Sequence, residues 1–282
     1  MSKATIAIPF FNNQKTLEYA ILSVINQTYN DWELILINDG STDNSLKIAK
    51  KYESEKCRII DDGENRGLIA RLNQAIELTE SEYFVRMDSD DIMTPNRLEI
   101  QLKILQKNPE IDLVGSSAYI INENNEIIGI RKSLHISQSI DEILKRGLFI
   151  HPTVIGKTEW FRGNLYNYDF NRAEDLELWC RTYKKSNFIN LKEPLLFYRD
   201  PQKFNIHKFK ASSETIKKII DIYASGNKIK NKLIYREKIK IIVYVLLDKL
   251  HISGITNKVR NSQINTQEIQ IGKDLLNESI LR

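Results

Sequence analysis

Three carboxylates, Asp88, Asp90 and Asp91, lie within four residues of one another in Met87-Asp88-Ser89-Asp90-Asp91. Directly before them runs Tyr83-Phe84-Val85-Arg86, a stretch of strand character. Like charges that close are costly unless a cation or a partner offsets them. Hard oxygen ligands at a strand end suit Mg²⁺ or Mn²⁺, which binds one or two carboxylates together with substrate phosphates. The segment is therefore a candidate metal–diphosphate site, with a solvated acidic turn as the plainer alternative. Asp39, before Gly40, closes a second apolar run, and its alternative is a helix cap. Glu174-Asp175 opens a helical pattern. Such a pair fits a general base, and it also fits acids that favour the helix macrodipole.

These residues need elements to position them. Thr5–Ile8 reads as a buried strand ending at Pro9, and Leu17, Ala20, Ile21, Val24 and Ile25 follow at helical spacing. Glu33–Asn38, Arg58–Ile60 and Tyr83–Met87 are further strands. Between them, Ser41-Thr42-Asp43 offers caps for a helix to about Ser54, and Leu68–Ile76 forms another. Thr94-Pro95 predicts an N-cap and first turn for a helix to about Asn108. Strands alternating with helices imply a mostly parallel sheet flanked by helices, with ligands outside the carboxyl ends of the strands. Asp39, Asp88 and Asp90 all fall at such ends.

Beyond residue 110 the pattern changes. Leu113–Ser117 and Tyr119–Ile121 pair with Glu126–Ile130 as a hairpin. A short helix follows around Ile140–Leu144, then His151-Pro152-Thr153, a helix from Ala173-Glu174-Asp175, and closing strands at Phe188–Leu191 and Leu195–Arg199. From Ser212 the chain reads as helical and basic. Residues 201–260 carry 14 Lys and Arg against 4 acids, a net +10, whereas the whole chain is +4, so the remainder is −6. A basic region beside an acidic body implies an anionic partner. Lys228–Leu250 mixes cations with apolar residues and fits a cytoplasmic membrane surface, a packed helix or a second subunit.

The longest apolar run, Ile241–Leu247, is too short to span a bilayer. The N-terminus enters strand pattern at once, without a signal peptide. Cys57 and Cys180 lack metal-like spacing, so reduced thiols in a cytosolic protein are expected. No glycine-rich dinucleotide or P-loop motif occurs. The basic stretch has no interleaved aromatic platform, which disfavours nucleic acid.

In their order, Pro9-Phe10-Phe11-Asn12, Asn38-Asp39-Gly40-Ser41-Thr42-Asp43, Asn65-Arg66-Gly67 with Ala70-Arg71-Leu72-Asn73, Asp88-Ser89-Asp90-Asp91, His151-Pro152-Thr153 and Glu174-Asp175 with Leu178-Trp179 carry a resemblance. The chain resembles the inverting family-2 glycosyltransferases of the GT-A (nucleotide-diphospho-sugar transferase) fold. The last two pieces look most like the bacterial capsule, exopolysaccharide and O-antigen branch. Phe11 departs from the tyrosine of many relatives, and Asp200-Pro201-Gln202-Lys203 departs from a small-residue loop.

The resemblance implies a catalytic domain over 1–210, with a nucleotide half to about 110 and an acceptor half to 210, and a basic helical region over 211–282. It implies that Asp39 accepts from the nucleobase imide, Phe11 stacks on the base and Pro9 shapes that loop. Arg71 would neutralise the pocket's carboxylates and reach the nucleotide. Asp90 would hold Mn²⁺ or Mg²⁺. Asp88 would contact ribose, sugar hydroxyls or a metal-bound water, with Ser89 beside it, and Asp91 would orient them. Asp175 is the implied base. Glu174, His151, Trp179 and Arg199 are candidates for the acceptor or diphosphate site. The implied donor is a UDP-sugar, and the acceptor a glycan on a lipid diphosphate, handled at the inner face of the cytoplasmic membrane. A homodimer is compatible. The competing readings are a sugar nucleotidyltransferase, which needs a basic glycine-rich phosphate loop after the first strand, and a non-catalytic binding module.

Overall fold

Apolar residues at almost every position of the first strands require cover on both faces. A computed structural model describes residues 3–200, 205–249 and 262–281. In it β1 (Ala4–Phe10) is buried throughout. It pairs in parallel with β2 (Trp32–Asn38) and β4 (Tyr83–Arg86), and β3 (Cys57–Asp61) extends the sheet beyond β2. Pro9 lies inside β1 rather than ending it. The β1–β4 pairing stops at Ala7 with Arg86. The missing Pro9 N–H therefore faces a side where the ladder has already ended.

Helices α1 (Leu17–Ile25), α2 (Ser45–Lys50), α3 (Leu68–Leu78) and α4 (Arg97–Lys107) alternate with these strands. α1 buries Leu17, Ala20, Ile21 and Val24 on one face, as its spacing predicts. Two starts differ from expectation. α2 begins at Ser45 and is short because Ser41–Asp43 are bonded to another loop. Asn12 Oδ1 accepts from Thr42 N at 2.8 Å, and Asp43 Oδ2 accepts from Gln14 N at 3.1 Å. α4 begins at Arg97 because Thr94 N donates to Leu195 O at 3.2 Å, which continues the short strand β5 (Ile92–Met93) instead.

The second half is the expected hairpin plus a short strand and a long irregular one. β6 (Leu113–Ile121) pairs antiparallel with β7 (Ile127–Arg131) and β8 (Ile155–Lys157), and parallel with β9 (Phe188–Arg199). Ser116-Ser117 and Lys192–Pro194 interrupt the apolar pattern, yet each strand continues through a shift of register. The order across the sheet is β3-β2-β1-β4-β8-β6-β9-β5, with β7 on the outer half of β6. α5 (Ile140–Arg146), α6 (Thr158–Arg162) and α7 (Glu174–Thr182) belong to this second half.

The C-terminal helices wrap the body on two sides. α8 (Ile206–Tyr223) starts before Ser212, because the Asn205 side chain accepts from Lys208 N. Ile219 and Ile220 of α8 and Leu233 of α9 (Asn227–Lys249) join the main core. α10 (Thr266–Ile280) packs on the other side, where Leu276 meets Ile92, Tyr119 and Phe197. Pro201–Lys203, Leu250, Lys258 and Arg260 lie outside the described residues. Cys57 and Cys180 are buried and unpaired.

Candidate active site

Because β2, β1 and β4 are neighbours, their carboxyl ends bring Asp39, Phe11 and the acidic cluster to one edge of the sheet. Phe10 pairs with Asn38, so Phe11 and Asp39 leave the sheet at the same level. They line a cavity of about 540 Å³ with Pro9, Asn65, Leu68 and Arg71, and Phe11 is exposed there. Gly40 is required beside it. Its φ is +71°, and a Cβ would meet Asn65 N at 2.8 Å.

Asp39 does not cap the helix that follows it. Its Oδ1 accepts from Arg66 N at 2.7 Å, Gly67 N at 3.1 Å and Arg71 Nε at 2.9 Å, so it anchors the start of α3. Arg71 is fully enclosed. Its Nη1 and Nη2 donate to Asp62 at 2.8 and 2.6 Å, and Nη1 also donates to Gln74 Oε1 at 2.9 Å. The guanidinium holds the Asp62 carboxyl well below the usual range. Arg71 therefore neutralises the pocket's carboxylates as expected, but its donors are committed to them rather than extended toward a ligand. Removing one partner of a buried charge network leaves the others uncompensated. Arg71→Met is expected to cost about 3 kcal/mol in urea unfolding and to weaken UDP binding by loosening the Asp39 loop. A loss below about 1 kcal/mol would demote the network to a surface-like pair.

At the end of β4, the ligand atoms of Asp88, Asp90 and Asp91 lie within 4.8 Å of one another. Arg86 holds Asp88 through two contacts of 2.8 Å. Asp91 Oδ1 accepts from Arg199 N at 2.8 Å, while its buried Oδ2 has no partner. Among the described residues, no side-chain donor is bonded to the Asp90 carboxylate. Burial, and then the charge of Asp88, push Asp90 up to about 6. Burial and then the charge of Asp90 also push Asp91 well above the ordinary carboxylate range. An all-oxygen set with one unpartnered buried oxygen fits Mn²⁺ or Mg²⁺. Arg199 differs from expectation. Its Nε donates to Asp90 O at 2.8 Å and its Nη1 to Asn122 O at 2.6 Å, so it clamps the acidic loop rather than presenting donors to an acceptor. Ser89 is buried in the same loop, and its carbonyl accepts from Thr16 Oγ1 at 3.3 Å.

A second cavity of about 520 Å³ is lined by Arg86, Asp88, His151, Glu174, Asp175 and Tyr198 among others. The turn into α7 passes through Arg172, whose φ of +72° is rare outside glycine. Glu174 lines both cavities. Burial, then the charge of Asp175, push Glu174 up to about 7, and burial raises Asp175 as well. His151 lines the cavity, and its Nε2 meets Tyr166 Oη at 2.8 Å. Burial, and then Arg86, keep this imidazole neutral by driving its pKa well down. Tyr166 is tied in turn to Asn73 of α3 by two backbone–amide bonds of 2.9 Å. Trp179 is a correction. It is wholly buried among Phe149, Trp160 and Phe188, so it supports the floor beneath His151 and offers no face to a sugar.

Two site residues escaped sequence reasoning. Arg86 sits between the acidic cluster and the Glu174-Asp175 pair. Its signal was a lone cation closing an apolar strand, since a buried Arg must find carboxylates. Arg172, on the wall of the cavity at Phe11 and Asp39, carried no signal because backbone strain is invisible in composition.

The family model described as Glycosyl transferase family 2 matches residues 5–177, more than half of the chain. The chain belongs to this family. EpsE of Bacillus subtilis, named as a glycosyltransferase, is 30% identical over 239 residues, covering 81% of this chain and 83% of that protein. WfgD of Escherichia coli, named a UDP-Glc:alpha-D-GlcNAc-diphosphoundecaprenol beta-1,3-glucosyltransferase, is 28% identical, with 65% and 70% covered. The structure of Staphylococcus aureus TarS 1–349 with UDP-GlcNAc superposes at a TM-score of 0.61 and 18% identity, with 82% of this chain and 70% of TarS covered. The Pyrobaculum calidifontis mannosyltransferase PcManGT, solved with GDP-Man and Mn²⁺, does so at 0.61 and 13%, with 99% and 86% covered. These likenesses identify the fold as GT-A. The enzyme is a glycosyltransferase.

Proposed function

We propose that this family member moves a hexose or N-acetylhexosamine from a UDP-sugar to a glycan on a lipid diphosphate, with inversion, in surface-polysaccharide synthesis of the capsule or O-antigen kind. The observation that carries the reading is the Glu174-Asp175 pair, which opens α7 on the cavity next to the nucleotide pocket and facing Asp88. In this reading Pro9 and Phe11 frame the base, Asp39 meets its imide edge, and Asp88 and Ser89 flank the sugar. Asp90, with Asp88 and Asp91 around it, would hold Mn²⁺ or Mg²⁺. When bound, that ion offsets the diphosphate charge and improves the leaving group. Asp175 takes the proton from the acceptor hydroxyl as its oxygen bonds to the anomeric carbon. The bond from that carbon to the diphosphate oxygen breaks, and the electron pair leaves with UDP. Arg86 lies against Asp88 and offsets part of the burial that raises the carboxyls of Glu174 and Asp175, which favours the charged base. Family membership replaces the nucleotidyltransferase reading.

The test is a screen of UDP-, TDP- and GDP-sugars with a pyrophosphate-lipid acceptor analogue, with NMR of the product. A UDP-sugar and an inverted anomeric configuration are expected. Retention would exclude direct displacement.

Attachment to an anionic membrane belongs to the same proposal. No described helix is long and apolar enough to cross a membrane. On α9, however, Tyr235, Ile239, Ile242, Val243 and Leu246 are exposed at helical spacing, which makes one outward stripe. Lys232, Arg236, Lys238 and Lys249 are exposed on the same helix. Each cation near an anionic leaflet contributes about 1 kcal/mol, screened within about 8–10 Å. Co-sedimentation with anionic vesicles, lost at high salt, is the expected result. Equal binding to neutral vesicles would sink the electrostatic part, and a dimer through this stripe would replace the membrane with a second subunit.

A further inference from the structure

The cavity that holds Glu174 and Asp175 is also lined by cations. Arg131 closes β7, Lys132 follows it, and Arg146 lies in the last turn of α5, yet all three line this cavity. Leu134, Phe149 and Ile150 add apolar surface to the same cavity. Arg131 is already held, 3.1 Å from Asp200 and over the Tyr198 ring at 4.7 Å. Lys132 and Arg146 are exposed and form no ion pair among the described residues. A cation at a helix C-terminus also suits the macrodipole. That accounts for Arg146 alone and not for its convergence with Lys132, which comes from a strand.

One cavity is thus lined both by carboxylates and by two cations that form no ion pair among the described residues. A ligand that matches both has a hydroxyl to give up a proton and an anionic group at a distance from it. Asp88 of the acidic cluster reaches this cavity, but Phe11, Asp39, Arg71 and Asp90 do not line it, so the donor's diphosphate is the poorer match. We infer that Lys132 and Arg146 form a recognition site for a phosphate ester carried by the acceptor, with the apolar wall receiving what the ester is attached to. The inference rests on the glycosyl-transfer reading above. Strongly hydrated Lys and forked Arg together suit a multiply charged phosphate oxygen set.

The test titrates geranyl phosphate, inorganic phosphate and octyl glucoside into the full chain with UDP and Mn²⁺ saturating. Wild-type protein is expected to bind geranyl phosphate more tightly than inorganic phosphate. The double variant Lys132→Gln/Arg146→Gln should weaken geranyl phosphate by roughly tenfold, since two exposed charge contacts are lost. UDP affinity and octyl glucoside binding should stay unchanged. Geranyl phosphate binding as tight in the variant as in the wild type would overturn the inference. A parallel loss of UDP would assign the cations to the donor and overturn it as well. Equal affinity for both phosphates would overturn the ester assignment. Wild-type turnover of a UDP-sugar is scored separately, so failure of glycosyl transfer is distinguishable from failure of the phosphate site.

Discussion

Asp175→Asn is expected to lower turnover by about 10²–10⁴-fold while leaving UDP affinity within about twofold. The amide keeps the shape and the contact with Leu176 N, which Asp175 Oδ1 accepts at 2.8 Å, and it loses only the basicity. A rate loss below about tenfold would remove Asp175 as the base. Glu174→Gln is the companion variant, because the two carboxyls titrate as a pair. If Glu174→Gln abolishes turnover and Asp175→Asn does not, the roles exchange.

The pH dependence has a definite sign. Glu174 is pushed up to about 7 and Asp175 is also raised, so wild-type kcat/KM should fall as pH drops through this region. Raised carboxyl values also mean that the folded protein holds protons which the unfolded chain has released. Stability should therefore fall as pH rises from the ordinary glutamate value of 4.5 toward about 7. Asp175→Asn removes one of these penalised charges. The variant should melt no lower than wild type at alkaline pH, which separates lost catalysis from lost folding.

Asp90→Ala is expected to lower turnover by on the order of 10³-fold or more, and to reduce UDP affinity in Mn²⁺ to the metal-free level. The loop should survive the change. Asp88 is held by Arg86, Asp91 by Arg199 N, and the Asp90 carbonyl by Arg199 Nε, none of which needs the Asp90 side chain. Burial and the charge of Asp88 already penalise the charged carboxylate, so the metal-free variant should be at least as stable as the metal-free wild type. Full turnover in EDTA, or by the variant, would take the metal out of the reaction.

Much of this protein was legible locally. Strand–helix alternation requires only side-chain periodicity, and acids that end apolar strands are visible without coordinates. Hence β1 to β4, α1, α3 and α7, the hairpin of β6 and β7, and the grouping of Asp39 with Asp88 and Asp90 follow from the chain itself. Boundaries failed where a side chain found a distant partner. Asp43 and Thr42 serve the loop at Asn12–Gln14, and Thr94 joins Leu195 across 101 residues. Tertiary structure alone decided what the charged and aromatic groups do. Arg199 looks like an acceptor cation until it is seen bonded to Asp90 O, 109 residues away. Arg71 looks free to reach a ligand until Asp39 and Asp62 close around it. Trp179 sits one turn after Asp175, but its side faces the core, where three other rings enclose it. Periodicity reports which face of an element avoids water. It carries no record of which remote donor or ring will meet that face, because that contact forms only when the sheet order is set.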